Sequence, residues 1–204
     1  MTTRANSSRE RILSTAEAII LEHGFAGTTI DDIISQASIT KGGFFYHFNG
    51  KMELARALVE RYIEMDSRVF LDLSERADSL SEDPLQRTLI FLNLVAEMVA
   101  GMTQLHPGCL VAAFTYETQQ INDEIRALME QGIMAWRAMI VERLEQIVEK
   151  YPPKIEVSIE ALADMFTSTL EGGIILARVY GDNRALVDQV HSYRTHLRLL
   201  FADV

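Results

Sequence analysis

Apolar residues recur three and four positions apart along nearly the whole chain, and nowhere do they alternate as in a half-buried strand. That periodicity predicts an all-α fold. Ile12, Leu13, Ala16, Ile19 and Ile20 form the first stripe, with Ser7 and Glu10 spaced as a capping box at its start and Gly24 as its stop. Thr29 opens a short second helix, with Asp32 at the reciprocal capping position. Thr40 caps a third, whose hydroxyl meets the next turn's amides, and Asn49-Gly50 separates it from a long fourth helix through Leu73. Asp83-Pro84 marks the next start, and residues 104–108 form a turn before a short apolar segment. Three more helices are predicted: Asn122 to Lys150, ended by Pro152-Pro153, then Val157 to Tyr180, then one running almost to the C-terminus.

Two features narrow the function. The stretch SITKGGFFYHFNGK, residues 38–51, crowds glycines, rings and basic groups into a chain of net charge −10. Residues 1–52 carry five basic and five acidic side chains, so the whole of that charge lies beyond residue 52. A DNA-facing module on an acidic body has this asymmetry, because phosphate repels the body. Two short helices joined by a tight turn, Ile30–Ala37 and Thr40–His47, also have helix-turn-helix dimensions, in which the second helix enters the major groove. Lys41, Gly42 and Gly43 fall in its first turn, where glycine leaves no bulk between backbone and DNA. Phe45 and Phe48, with Ile39, are expected to pack back on the first helix, leaving Tyr46 and His47 turned to phosphates.

The segment GFAGTTIDDIISQASITKGGFFYHFNGKMELARALVE resembles the DNA-binding domain of the TetR family of transcriptional regulators. The resemblance covers about residues 8–55, through Gly24-Phe25, Thr28-Thr29, Thr40-Lys41-Gly42, the Phe45–Phe48 run and Lys51. Ser38 departs from it, standing where the family usually has glycine; serine enters positive φ less freely. The resemblance implies phosphate contacts from Thr29, Tyr46, His47 and Lys51. It implies base-edge contacts near Lys41, Gly43 and Phe44. With Thr40 and Gly42, these make up the expected DNA-binding set.

The body is expected to supply dimerisation and effector binding, giving a division into residues 1–52 and 53–204. Leu186, Val190, Tyr193, Leu197 and Leu200 form a seam spaced four, three, four and three. Leu162, Phe166 and Gly173 lie on the preceding helix. Such a seam serves packing inside one subunit or between two, and the resemblance implies the four-helix interface of a homodimer. Phe91, Val95, Met98, Met102, Cys109, Tyr116, Trp136, Phe166 and Leu170 are the candidates for an effector cavity of the kind this family has. Pro107 looks like the first residue of a helix, which would set Cys109 near its positive end, where a thiol ionises more readily. A Gly-Cys-Leu here resembles a subgroup whose members include responders to electrophiles or oxidants.

A single cysteine excludes an internal disulfide and suits a reducing interior. The first residues lack the apolar stretch of a secretion signal, and no apolar run reaches the ~18 residues of a membrane span. The expectation is therefore a cytoplasmic protein without membrane contact. No phosphate loop, nucleophile motif or metal cluster supports an enzyme; His191 and His196 face different ways on their helix, so neither metal nor cofactor is expected. A helical adaptor without DNA binding is the remaining rival. The favoured reading is a ligand-responsive repressor that binds a palindromic operator as a homodimer and leaves it on binding a small effector. A redox or electrophile sensor acting through Cys109 is the alternative.

Overall fold

The computed structural model describes residues 2–201, with side chains for 7–117 and 119–201. Nine α-helices lie among them: α1 (Thr2–Gly27), α2 (Ile30–Gln36), α3 (Lys41–Phe45), α4 (Lys51–Leu80), α5 (Pro84–Ala100), α6 (Leu110–Thr115), α7 (Asp123–Lys150), α8 (Ile159–Tyr180) and α9 (Arg184–Phe201). No strand occurs among the described residues. The all-α reading holds. Helix α1 starts at Thr2, so Ser7 lies within it and the expected Ser7–Glu10 cap does not form its start. At Gly24 (φ 77°) the helix breaks, yet helical turns resume as far as Gly27. Only glycine enters that region without steric cost.

Packing divides the chain into two compact units: Met1–Met65 with Pro107–Gly132, and Asp66–His106 with Ile133–Val204. The unit that holds the helix-turn-helix is thus wider than residues 1–52, because α6 packs on α1. Its core includes Ile12, Leu13, Ile20, Ile33, Phe44, Phe48, Leu54, Leu58, Phe114 and Ile125, all essentially sealed from solvent.

The second unit is built round α5, α8 and α9, where α9 packs on both of the others. Leu186, Val190, Tyr193, Leu197 and Leu200 are buried in this core, as are Leu162, Phe166 and Gly173. These eight residues were expected at a dimer interface. They are instead the subunit's own interior. A Cβ on Gly173 would stand 2.6 Å from Leu186, so this glycine lets α9 approach α8 of the same chain. The Tyr193 hydroxyl donates to the Leu162 carbonyl at 2.8 Å, and burial raises its pKa. A three-and-four seam marks a packing face without naming its partner, and here α5 and α8 take it up. At the other end of α5, Asp83 caps the first turn through the Gln86 amide at 2.9 Å. Its other oxygen accepts from Lys150 and from the Tyr151 hydroxyl, each at 2.6 Å.

Candidate nucleic-acid interface

Capping fixes both helices of the reader. Thr29 Oγ1 accepts from the Asp32 amide at 3.1 Å, and the Asp32 carboxylate accepts from the Thr29 amide at 3.0 Å. The Thr29 hydrogen bonds hold the Asp32 pKa below its usual value. Helix α2 ends at Ala37, whose amide donates to the Ile33 carbonyl at 2.8 Å. Ser38 then adopts φ 52°, the left-handed conformation that serine enters at a cost. Its amide donates to the Ser35 carbonyl at 3.2 Å, and Ile39 N–H reaches the Ile34 carbonyl at 3.2 Å. These backbone hydrogen bonds close the turn.

Helix α3 starts from Thr40, whose Oγ1 accepts from the Gly43 amide at 3.0 Å. A Cβ on Gly43 would lie 3.2 Å from that oxygen, so the glycine also protects the cap. That local role escapes a reading of the sequence alone. Gly42 faces open space. Lys41 and Thr40 are exposed.

The rings divide differently from the sequence expectation. Phe44 is 0% exposed, packed at 5.8 Å from Phe48, while Phe45 is 43% exposed and meets Phe44 edge-on. Phe44 therefore cannot touch a base edge, and Phe45 is not a core residue. The reason is helical offset: residues 44 and 48 share the inner face, whereas 45 lies about 100° round the helix. Tyr46, 77% exposed, stands edge-on to the half-buried His47 at 4.9 Å. Lys41, Gly42, Phe45 and Tyr46 thus form the open face of α3, with Thr29 exposed at the start of α2.

Lys51 sits further in than expected. Its Nζ donates to the Phe25 carbonyl and lies 4.2 Å from the centre of the Phe25 ring. Burial lowers its pKa, and the charge of Glu117 opposes that shift. Glu117 itself went unnoticed in the sequence. Its two oxygens accept from the amides of Phe25 at 2.8 Å and Ala26 at 2.6 Å. Those amides open the helical turn after the Gly24 break and so need an acceptor. The break at Gly24 was the available signal, but nothing local pointed to a carboxylate 91 residues on.

The expected effector residues divide between the units. Phe91 and Phe166 meet at 6.1 Å, and Phe70, which the sequence pattern did not single out, touches both at 6.3 and 6.2 Å and Trp136 at 6.4 Å. Val95 is buried and Leu170 half-buried in the same core. Met98 and Met102 are exposed on the outer side of this unit. Cys109 and Tyr116 belong to the other unit, and Tyr116 is 80% exposed. Neither methionine nor Tyr116 lines an interior. Cys109 is half-buried and is the N-cap of α6, with Sγ accepting from the Ala112 amide at 3.5 Å. Pro107 lies ahead of the helix, not at its first position as expected, because Gly108 turns the chain at φ 123°.

The model of the tetR family of bacterial regulatory proteins matches residues 12–58, which contain this reader. Residues 84–191 match the C-terminal domain of LmrA/YxaF-like transcriptional regulators. The chain belongs to the TetR family. A curated relative, the HTH-type transcriptional repressor DhaR of Mycobacterium sp. strain GP1, is 24% identical over 189 residues, covering 89% of this chain and 87% of its own. Among solved structures, a TetR-family regulator of Agrobacterium tumefaciens has a TM-score of 0.78 at 21% identity. It is covered completely, by 97% of this chain. The reduced form of E. coli NemR has a TM-score of 0.73 at 20% identity, over 96% of this chain and 97% of its own. The protein is therefore a TetR-type transcriptional regulator, and these two structures share its fold.

Proposed function

We propose that this TetR-type regulator represses transcription as a homodimer on a palindromic operator, and that a small molecule bound in its body releases it. The open face of α3 carries the reading: two rings, Phe44 and Phe48, are sunk in the core so that Lys41, Gly42, Phe45 and Tyr46 stand free. Residues 1–52 read DNA on this proposal, and 53–204 hold the effector and the second subunit. The DhaR relative is named a repressor, which supports that direction of control. The proposal assigns no catalytic step and places the work in the cytoplasm; no described helix is long and apolar enough to cross a membrane.

A twofold reader needs a partner surface, and α8 offers one on its outer side. Met165, Ser168, Gly172, Ile175 and Val179 are spaced three, four, three and four, with Met165, Ile175 and Val179 exposed. The experiment is a salt titration of binding to the DNA upstream of the gene, by fluorescence anisotropy. Lys41→Ala should weaken binding and lower the slope of log K against log salt by about one. Nanomolar binding with an unchanged slope would take Lys41 off the phosphates, and no binding to any such DNA would sink the proposal.

Half-burial of Cys109 at an N-cap keeps a thiol sensor as a second reading. Burial and then the charge of Arg178 lower the pKa of His106, which disfavours its cationic form. Alkylation of the native protein decides: an inflection below about 8.5 supports the sensor, and a slow rate without one removes it.

A further inference from the structure

A DNA reader needs cations where phosphates run, and the expected one is already engaged. Lys51 is half-buried, with Nζ bonded to the Phe25 carbonyl. Residues 1–52 hold four other basic side chains, Arg4, Arg9, Arg11 and Lys41. Arg4 lies outside the described side chains, Lys41 opens α3, and Arg9 and Arg11 project from α1.

Arg9 is placed against the reader. It lies one helical turn before Ile12 and Leu13, both sealed in the core, and so extends their face. Its guanidinium carbon stands over the Phe48 ring, 5.4 Å from the centre. Phe48 is itself buried and belongs to a row of rings, 6.3 Å from His47, which is 4.9 Å from Tyr46. One end of that row is the open face of α3, and the other is Arg9. Arg11 is turned about 200° away round the helix.

No carboxylate of the fold neutralises Arg9. The acid beside it in the chain, Glu10, is held by Arg61 at 2.6 Å, as is Glu17 at 2.8 Å. Among the described residues no acid pairs with Arg9, and the residue is exposed. A guanidinium held over a ring keeps its N–H groups for a second partner, and its fork fits a phosphate. The major groove is ~12 Å wide, so a helix seated in it is flanked by both phosphate backbones. A cation at the rim of α3, off the side that faces the bases, meets backbone.

We infer that Arg9 is a phosphate-contacting residue, so that α1 touches the operator beside α2 and α3. Phe48 is the platform that aims its guanidinium. This rests on the DNA-reading proposal above and adds to it a contact outside the helix-turn-helix.

The test uses the full chain and two duplexes of equal length, the DNA upstream of the gene and an unrelated sequence. Binding is followed by fluorescence anisotropy from about 50 to 200 mM salt. Phosphate contacts carry no sequence information, so Arg9→Ala should weaken both complexes and lower the slope of log K against log salt by about one. The parent chain's advantage in affinity should then shrink about three- to fourfold across that range. Arg9→Met keeps a stem on the ring without the charge and should lose the same slope, whereas Arg9→Lys should restore it. A packing role would move the urea midpoint and leave the slope alone. If Arg9→Ala loses its helical circular dichroism, the methionine and lysine variants decide. A parental slope in Arg9→Met, or a lowered one in Arg9→Lys, would overturn the inference. Lys41→Ala separates the two claims. A slope lowered by Lys41→Ala but not by Arg9→Met removes Arg9 from the interface and leaves the reader; a parent chain that binds neither duplex sinks both.

Discussion

Ser38 is the residue at which sequence and geometry disagree locally. The turn between α2 and α3 needs a left-handed residue, and φ 52° places serine there. An L-residue in that region costs roughly 1–2 kcal/mol, and glycine avoids the clash at the price of a more flexible unfolded chain. The net gain for Ser38→Gly is then up to about 1 kcal/mol, seen as a higher midpoint in urea. A lower midpoint would show that the strain is relieved elsewhere in the turn. The same scale explains the swapped rings. A run of four aromatics fixes that some are buried, but the choice between Phe44 and Phe45 follows from where the helix begins. Thr40 as cap, with Phe44 one turn on, sets that phase. Once Thr40 is taken as the cap, residues 44 and 48 both turn inward.

At the scale of elements, helix order and most ends were legible, because caps and breakers are local: Thr29, Thr40, Asp83 and the proline pair stand where helices start or stop. What joins one element to another was not legible. Glu117 follows α6 yet holds the amides at the end of α1, and Lys51 opens α4 yet bonds the carbonyl of Phe25. Both charges thus set the backbone just ahead of Thr29, where the reader begins. Glu117→Ala leaves two amides without their acceptor and should cost about 2 kcal/mol, since each was bonded to a charged group. Glu117→Gln keeps one acceptor and should cost less. Urea midpoints give the stabilities, and operator affinity should fall in the same order. An alanine variant as stable as the parent chain would reduce the carboxylate to a surface contact.

At the scale of the whole molecule, the seam on α9 and the stripe on α8 make opposite demands of one substitution type. Leu197 is sealed inside the second unit, where an arginine would be an unpaired buried charge. Val179 is exposed on α8, where an arginine is harmless to a lone subunit and damaging only if a second subunit covers it. Leu197→Arg should therefore unfold the unit, with loss of helical circular dichroism, whereas Val179→Arg should leave that signal unchanged. Sedimentation should then find Val179→Arg monomeric at concentrations where the parent chain is a dimer. Its half-site contacts survive intact, so affinity for a palindromic operator should fall toward that of one reader on one half-site. A Val179→Arg dimer with full operator affinity would mean that subunits meet on some other face than the Met165–Val179 stripe.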